Sequence, residues 1–170
     1  MKFLIRDKLA EAGLLETTYQ RPAGRSGPGA GRPAKLYRRA EQELAVGVPP
    51  RAYELLARLL AQAIERDTTG KVRATLGEVA RDLGREVGTA FGDDVMAALR
   101  GCGYRPRTSA EGIVELENCP FHRLAREHQE LVCGLNLCLV EGVIAGSGHP
   151  RAHAVLSPRP GRCCVVVHGR

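Results

Sequence analysis

The stretch Arg21-Pro22-Ala23-Gly24-Arg25-Ser26-Gly27-Pro28-Gly29-Ala30-Gly31-Arg32-Pro33 constrains the fold of this chain more than any other. Glycine costs backbone entropy in any regular element, and proline lacks the N–H that helices and ladders need. Neither helix nor strand can cross this segment. On either side lie runs that favour extended backbone, Leu14 to Gln20 with Thr17, Thr18 and Tyr19, and Ala34 to Ala40. Two extended runs joined by a pliable loop predict a hairpin. Ahead of them Ile5, Leu9 and Ala12 recur at helical spacing, and Gly13 is a natural stop, so residues 2–12 read as a helix.

Charge follows the same division. Residues 1–40 hold Lys2, Arg6, Lys8, Arg21, Arg25, Arg32, Lys35, Arg38 and Arg39 against Asp7, Glu11 and Glu16, so the whole net charge of +6 resides there. A concentration of positive charge on one end implies a polyanionic partner, with nucleic acid the leading candidate. Helix, strand, basic loop, strand is the order of a recognition helix followed by a β-wing. Lys2, Arg6, Arg21, Arg25, Arg32 and Lys35 are the candidate DNA contacts, with loop arginines along phosphates or in a minor groove.

The full chain has 170 residues, 44% of them hydrophobic, and no Trp. That is enough for one ordinary domain, or a small one with an appendage, with a core of Leu, Val and Ala. No apolar run reaches the roughly 20 residues of a membrane span, and Met1 to Lys8 is too charged for a secretory signal. The expected location is the cytoplasm, where thiols stay reduced. Six cysteines there argue for metal or redox chemistry over structural disulfides.

Between the two ends, Val48-Pro49-Pro50 starts a helix whose Tyr53, Leu56, Leu60 and Ala63, widened by Leu55, Leu59 and Ile64, form a broad apolar stripe. The stripe suits a dimer seam or packing within one subunit. Asp67-Thr68-Thr69-Gly70 ends it. Thr75-Leu76-Gly77-Glu78 has the pattern of a capping box. Residues 89–100 predict a further helix with Phe91, Val95, Met96 and Leu99 buried, Asp93-Asp94 lying in its first turn. Cys102, in the turn after it, has no partner at ligand spacing and reads as core.

The remaining cysteines carry the chemistry. Tyr104–Thr108 and Gly112–Glu117 predict one hairpin, and Arg151–Leu156 and Arg162–His168 a second. In Cys119-Pro120 the thiol falls at a helix N-cap, where the dipole favours the thiolate. A helix over about 130–145 carries Cys133 and Cys138 about 140° apart, so they cannot share a site; Cys138 reads as core. On a strand Cys163 and Cys164 point to opposite faces, and only one can join. The candidate ligands are Cys119, Cys133 and Cys163 or Cys164, with His122 or His128 as a possible fourth donor. Such a set suits a [4Fe–4S] cluster or zinc, although the spacing is not that of a zinc ribbon. His153 and His168 receive no role.

Two resemblances extend this reading. Glu11-Ala12-Gly13-Leu14-Leu15-Glu16, followed by Gly31-Arg32-Pro33-Ala34-Lys35-Leu36-Tyr37, resembles the second half of the winged helix-turn-helix in bacterial repressors of the ArsR/DeoR type. In such repressors two helices precede the recognition helix. The chain begins at or inside that helix, so by itself it is expected to bind DNA weakly or not at all. Cys119-Pro120-Phe121, Leu124-Ala125, His128, Leu131 and Cys133, followed by Cys163, resembles the sensor region of the Suf-type iron–sulfur repressors.

Together the resemblances imply an α+β chain in three parts. Residues 1–46 would be the C-terminal half of a winged helix-turn-helix, 47–67 a linking and dimerisation helix, and 68–170 an α/β sensor domain with antiparallel hairpins. The implied function is a homodimeric, cytoplasmic transcriptional regulator that binds DNA, has no membrane partner and is not an enzyme. Its cofactor would be an iron–sulfur cluster on Cys119, Cys133, Cys163 or Cys164, or else zinc or none. The alternatives are a metal-free small-molecule sensor of the same architecture, and a thiol or redox enzyme using Cys119.

Overall fold

The computed structural model describes residues 2–21, 32–40, 52–159 and 161–169. Its elements are a mixture of α-helices and two small antiparallel sheets, as an α+β chain requires. The chain divides into two units, residues 1–51 and 52–170. That division falls between the expected boundaries, so the helix expected to link the two ends belongs to the second unit.

In the first unit, α1 (Lys2–Glu11) ends at Gly13, whose φ of 72° is left-handed and easy only for glycine. The chain then enters β1 (Leu15–Gln20), which pairs antiparallel with β2 (Ala34–Arg39) in the register Leu15↔Arg39 to Gln20↔Ala34. Asp7 on α1 accepts hydrogen bonds from Lys35 and, at 2.8 Å, from the Tyr37 hydroxyl, fastening the helix to β2. Most of the Arg21–Pro33 loop lies outside the described residues. Among those described in this unit none is buried.

The second unit is built around one helix. It runs α2 (Tyr53–Glu65), α3 (Lys71–Phe91), α4 (Val95–Gly101), β3 (Pro106–Thr108), β4 (Ile113–Leu116), α5 (His122–Ala125), α6 (Gln129–Gly146), β5 (His153–Leu156) and β6 (Val165–His168). The four strands form one antiparallel sheet in the order β3-β4-β6-β5. Both predicted hairpins are present, with β4 and β6 pairing to join them. Helix α6 packs α3 on one side and β5 and β6 on the other. It is long and apolar enough to cross a membrane by length and composition, yet here it serves as the core helix, burying Leu131, Val132, Leu139, Val140, Val143 and Ile144. Leu99, Tyr104, Leu116, Val165 and Val167 complete that core. Each such apolar side chain contributes about 1.5–3 kcal/mol relative to exposure.

The α3–α6 contact is made by backbone. A Cβ on Gly84 would stand 2.2 Å from the Leu139 carbonyl oxygen, and one on Gly142 would stand 2.2 Å from that of Arg81. At that separation Cα–H groups face carbonyl oxygens directly, a weak but repeated attraction.

Three expectations for this region need correction. The Thr75-Leu76-Gly77-Glu78 capping box lies inside α3, which starts at Lys71. The start is held by Asp67, whose carboxylate accepts the Thr69 N–H, the Thr69 hydroxyl and the Val72 N–H at 3.0, 2.6 and 3.0 Å. The helix expected over 89–100 is instead the end of α3, a break at Gly92, and α4, which Asp94 caps by accepting the Ala97 N–H. Leu99 is buried as expected, but Phe91 is exposed, because it lies before the break, at the end of α3.

Candidate functional site

Four thiols meet at the end of the sheet where β4 leaves and β6 enters. Cys119 sits in the turn after β4; its sulfur accepts the Phe121 N–H and its carbonyl the His122 N–H at 3.1 Å. Cys133 projects from the beginning of α6. Cys163 and Cys164 precede β6, pinned from both sides: Cys163 N–H donates to Leu116 O at 3.1 Å, and Ser157 N–H donates to Cys164 O at 2.7 Å. Cys119, Cys133 and Cys164 line one cavity, and Cys163 neighbours Cys119 and Cys164.

Convergence of all four overturns the expectation that Cys163 and Cys164 face opposite ways. Strict alternation holds only within a strand, and β6 begins at Val165. The backbone bends at Cys164. Both cysteines are buried, and both sulfurs lie near the Asn136 amide nitrogen, at 3.0 Å for Cys163 and 4.0 Å for Cys164.

Electrostatics single out one sulfur. Cys163 is held well below the usual thiol range by the hydrogen bond from Cys119, then by that from Cys164, with the Val165 N–H and the Asn136 amide adding to them against the cost of burial. Cys119 is pushed up, first because its thiol donates to Cys163 and then by burial. Cys164 is raised by its bond to Cys163 and by burial. The thiolate was expected at Cys119, but its surroundings raise that thiol, whereas those of Cys163 lower it. The reason is local: the N-cap of α5 is Phe121, so Cys119 stands outside a helix of only 4 residues.

Above the cluster lies an open cavity of about 220 Å³ lined by Cys119, Cys133, Cys164, His122, Arg126 and Arg162 among others. Cys163 lies behind them, against Asn136. Of the two histidines considered as further donors, His122 lines the cavity, while His128 is buried with its Nδ1 at 2.8 Å from Glu65 on α2. The six cysteines are free thiols. Among the described residues no three His, Cys, Asp or Glu side chains already close around one point. Cys102 packs against the core as expected; Cys138, expected in the core, instead is half-buried beside Gly77 of α3 and lines a separate cavity.

Sequence reasoning missed Asn136 and Tyr104. Asn136 is fully buried on α6, and its carbonyl oxygen accepts the hydroxyl of Tyr104, itself 2% exposed. The signal was available: Asn136 is the one amide inside the apolar run from Leu131 to Val140, and a buried amide must be satisfied.

The candidate DNA contacts are distributed as follows. Arg6, Arg21 and Arg32 are exposed, and Arg6 lies over the Tyr37 ring, 5.8 Å from its centre. Lys35 is already engaged, by Asp7. Arg25 and the side chain of Lys2 lie outside the described residues. Compared with known proteins, the chain matches no family model, no curated protein and no solved structure.

Proposed function

We propose that this chain is a DNA-binding transcriptional regulator whose second unit senses a signal through a thiolate-bound group, an iron–sulfur cluster or zinc, held by Cys119, Cys133, Cys163 and Cys164. The observation that carries the reading is the convergence of these four sulfurs from three separate segments. A reduced thiol cluster of this kind is a soft donor set, the type that selects zinc and iron–sulfur groups. The open cavity gives such a group a route in. When bound, the group supplies either redox chemistry or a fixed four-sulfur junction.

The residues around the cluster supply a path to the rest of the unit. The segment that follows Cys119 is fastened to α2 three times: Arg123 to Glu54 at 2.7 Å, Arg58 to Glu127 at 3.0 Å, and His128 to Glu65 at 2.8 Å. A change of spacing between Cys119 and Cys133 therefore pulls on α2. That helix leaves Leu55, Leu56, Leu59 and Leu60 more than half exposed, and α3 adds Val79 and Leu83. Exposed leucines of this kind along α2 support a homodimer seam. In the first unit, helix, strand, basic loop and returning strand support the winged reading.

The test is binding of the whole chain to duplex DNA, metal-free and after anaerobic reconstitution. The proposal expects binding that weakens steeply with salt, as phosphate contacts require, and that differs between the two forms. Identical binding in both forms contradicts it. The metal-free alternative, a small-molecule sensor, has one observation in its favour. A largely apolar cavity of about 340 Å³ lies between α3 and α6 beside Cys138, lined by Leu76, Leu131, Leu135 and Leu156. DNA binding that persists unchanged after replacement of the four clustered cysteines by serine would favour that reading.

A further inference from the structure

Resting on the reading that the four thiols hold a metal or cluster, we propose that Asn136, oriented by Tyr104, is the hydrogen-bond donor that fixes Cys163 and Cys164 as ligands and tunes the group they hold. Asn136 belongs to α6, between the turn that carries Cys133 and the core, and it is 0% exposed. Its Nδ2 lies 3.0 Å from Cys163 Sγ and 4.0 Å from Cys164 Sγ. Its Oδ1 accepts the Tyr104 hydroxyl.

The orientation of this amide follows from bookkeeping of donors and acceptors. A metal-bound sulfur carries no proton and only accepts, so it needs an N–H facing it. The Tyr104 hydroxyl is buried, and burial pushes its pKa up, so it stays protonated and donates. A donor on one side and two acceptors on the other leave only one satisfactory arrangement: carbonyl to Tyr104, amide nitrogen to the sulfurs. Among the described residues, Asn136 is the side chain of α6 that donates to Cys163. Tyr104 comes from the segment after α4, so the relay also ties the thiol site to the α4–β3 connection.

The consequences concern the bound group itself. An N–H···S bond withdraws charge from a ligating sulfur, and such bonds set the reduction potentials of iron–sulfur groups. Partners behind the ligands also orient them, and losing one costs about 10- to 100-fold in metal affinity. Asn136 and Tyr104 are positioning residues in this sense, since they act through Cys163 and Cys164.

The experiment uses the whole chain and Co(II) as the probe. Wild type, Asn136→Leu, which keeps the volume and removes the donor, and Tyr104→Phe, which keeps the ring and removes the hydroxyl, are titrated with Co(II) without oxygen. The expected result is affinity about 10- to 100-fold weaker in Asn136→Leu and a smaller loss in Tyr104→Phe. The sulfur-to-cobalt band should move to longer wavelength in both, a shift that a general loss of stability does not produce. Co(II) affinity and band position in both variants matching wild type overturn the proposal. A second measurement separates it from the broader reading: in metal-free wild type the Asn136 side-chain amide protons should be shifted downfield and exchange slowly. Wild type that binds no Co(II) while showing those protons defeats the metal reading and keeps the relay. Unshifted, rapidly exchanging amide protons defeat the relay, whatever the metal does.

Discussion

His128 Nδ1 stands 2.8 Å from Glu65 Oε2, a buried imidazole against the last residue of α2. His128 is also the residue at which the chain turns from α5 into α6, only a few positions before Cys133. Among the described residues its buried Nε2 meets no partner, so there the Glu65 bond is the one hydrogen bond that the ring makes. Replacing Glu65 by Ala removes it and leaves a buried ring unsatisfied on both sides, a loss of about 1–3 kcal/mol. Hydrogen exchange should show α2 amides losing protection while the centre of α6 keeps it. Equal loss in both helices would mean that α2 is not separately held by this contact.

The close approach of α3 and α6 predicts opposite outcomes for two glycines. Gly84→Ala drives a methyl into the Leu139 carbonyl and should destabilise by about 1–3 kcal/mol or more, as overpacking does. Gly134→Ala, on α6, meets nothing within 4 Å and should stabilise by about 0.5–1 kcal/mol through helix propensity. Urea midpoints measure both. A Gly84→Ala variant as stable as wild type would show that the helices are not in backbone contact.

The start of α3 distinguishes two caps. Asp67→Ala should lower the melting temperature, because three hydrogen bonds converge on that carboxylate, while Thr75→Ala should leave it almost unchanged. The Asp67 carboxyl is held below its ordinary 3.8 by the Thr69 hydroxyl, then by the Val72 and Thr69 N–H groups. A lowered pKa in the fold contributes stability above 3.8 that disappears as pH falls through the folded value. The gap between wild type and Asp67→Ala should therefore be constant at neutral pH and narrow below about pH 4. A gap that widens in acid contradicts the assignment.

The same comparison shows what the sequence makes legible. Helix periodicity and Gly-Pro punctuation located α1, α6 and both hairpins, because those elements are coded by neighbouring residues. The capping box at Thr75 misled because its side-chain pattern also fits the interior of a longer helix whose true start depends on Asp67, eight positions earlier. Alternation at Cys163-Cys164 misled because the strand begins one residue later than the pair, a matter of backbone bonds to Ser157 and to Leu116, the latter far away in sequence. Spacing and resemblance singled out Cys119, Cys133 and one of Cys163 and Cys164. The amide that supports them was not legible, since nothing local connects Asn136 to Tyr104 or Cys163.

Thiol identity gives a further prediction. Cys133, Cys119 and Cys164 line the open cavity, whereas Cys163 lies behind them. Cys138 and Cys102 belong to other surroundings. Loading with metal should shield Cys119, Cys133, Cys163 and Cys164 from alkylation and leave the reactivity of Cys102 and Cys138 unaltered, as peptide mass mapping can show. Protection of Cys138 together with the others would place the bound group elsewhere.

The most direct test of the central claim is anaerobic reconstitution of the whole chain with iron and sulfide, and separately with zinc, followed by metal and sulfide analysis. The account predicts stoichiometric loading with one of them, lost in Cys119→Ala and in Cys133→Ala while the fold persists by circular dichroism. A chain that takes up neither, or that loads equally well without Cys119 and Cys133, contradicts it.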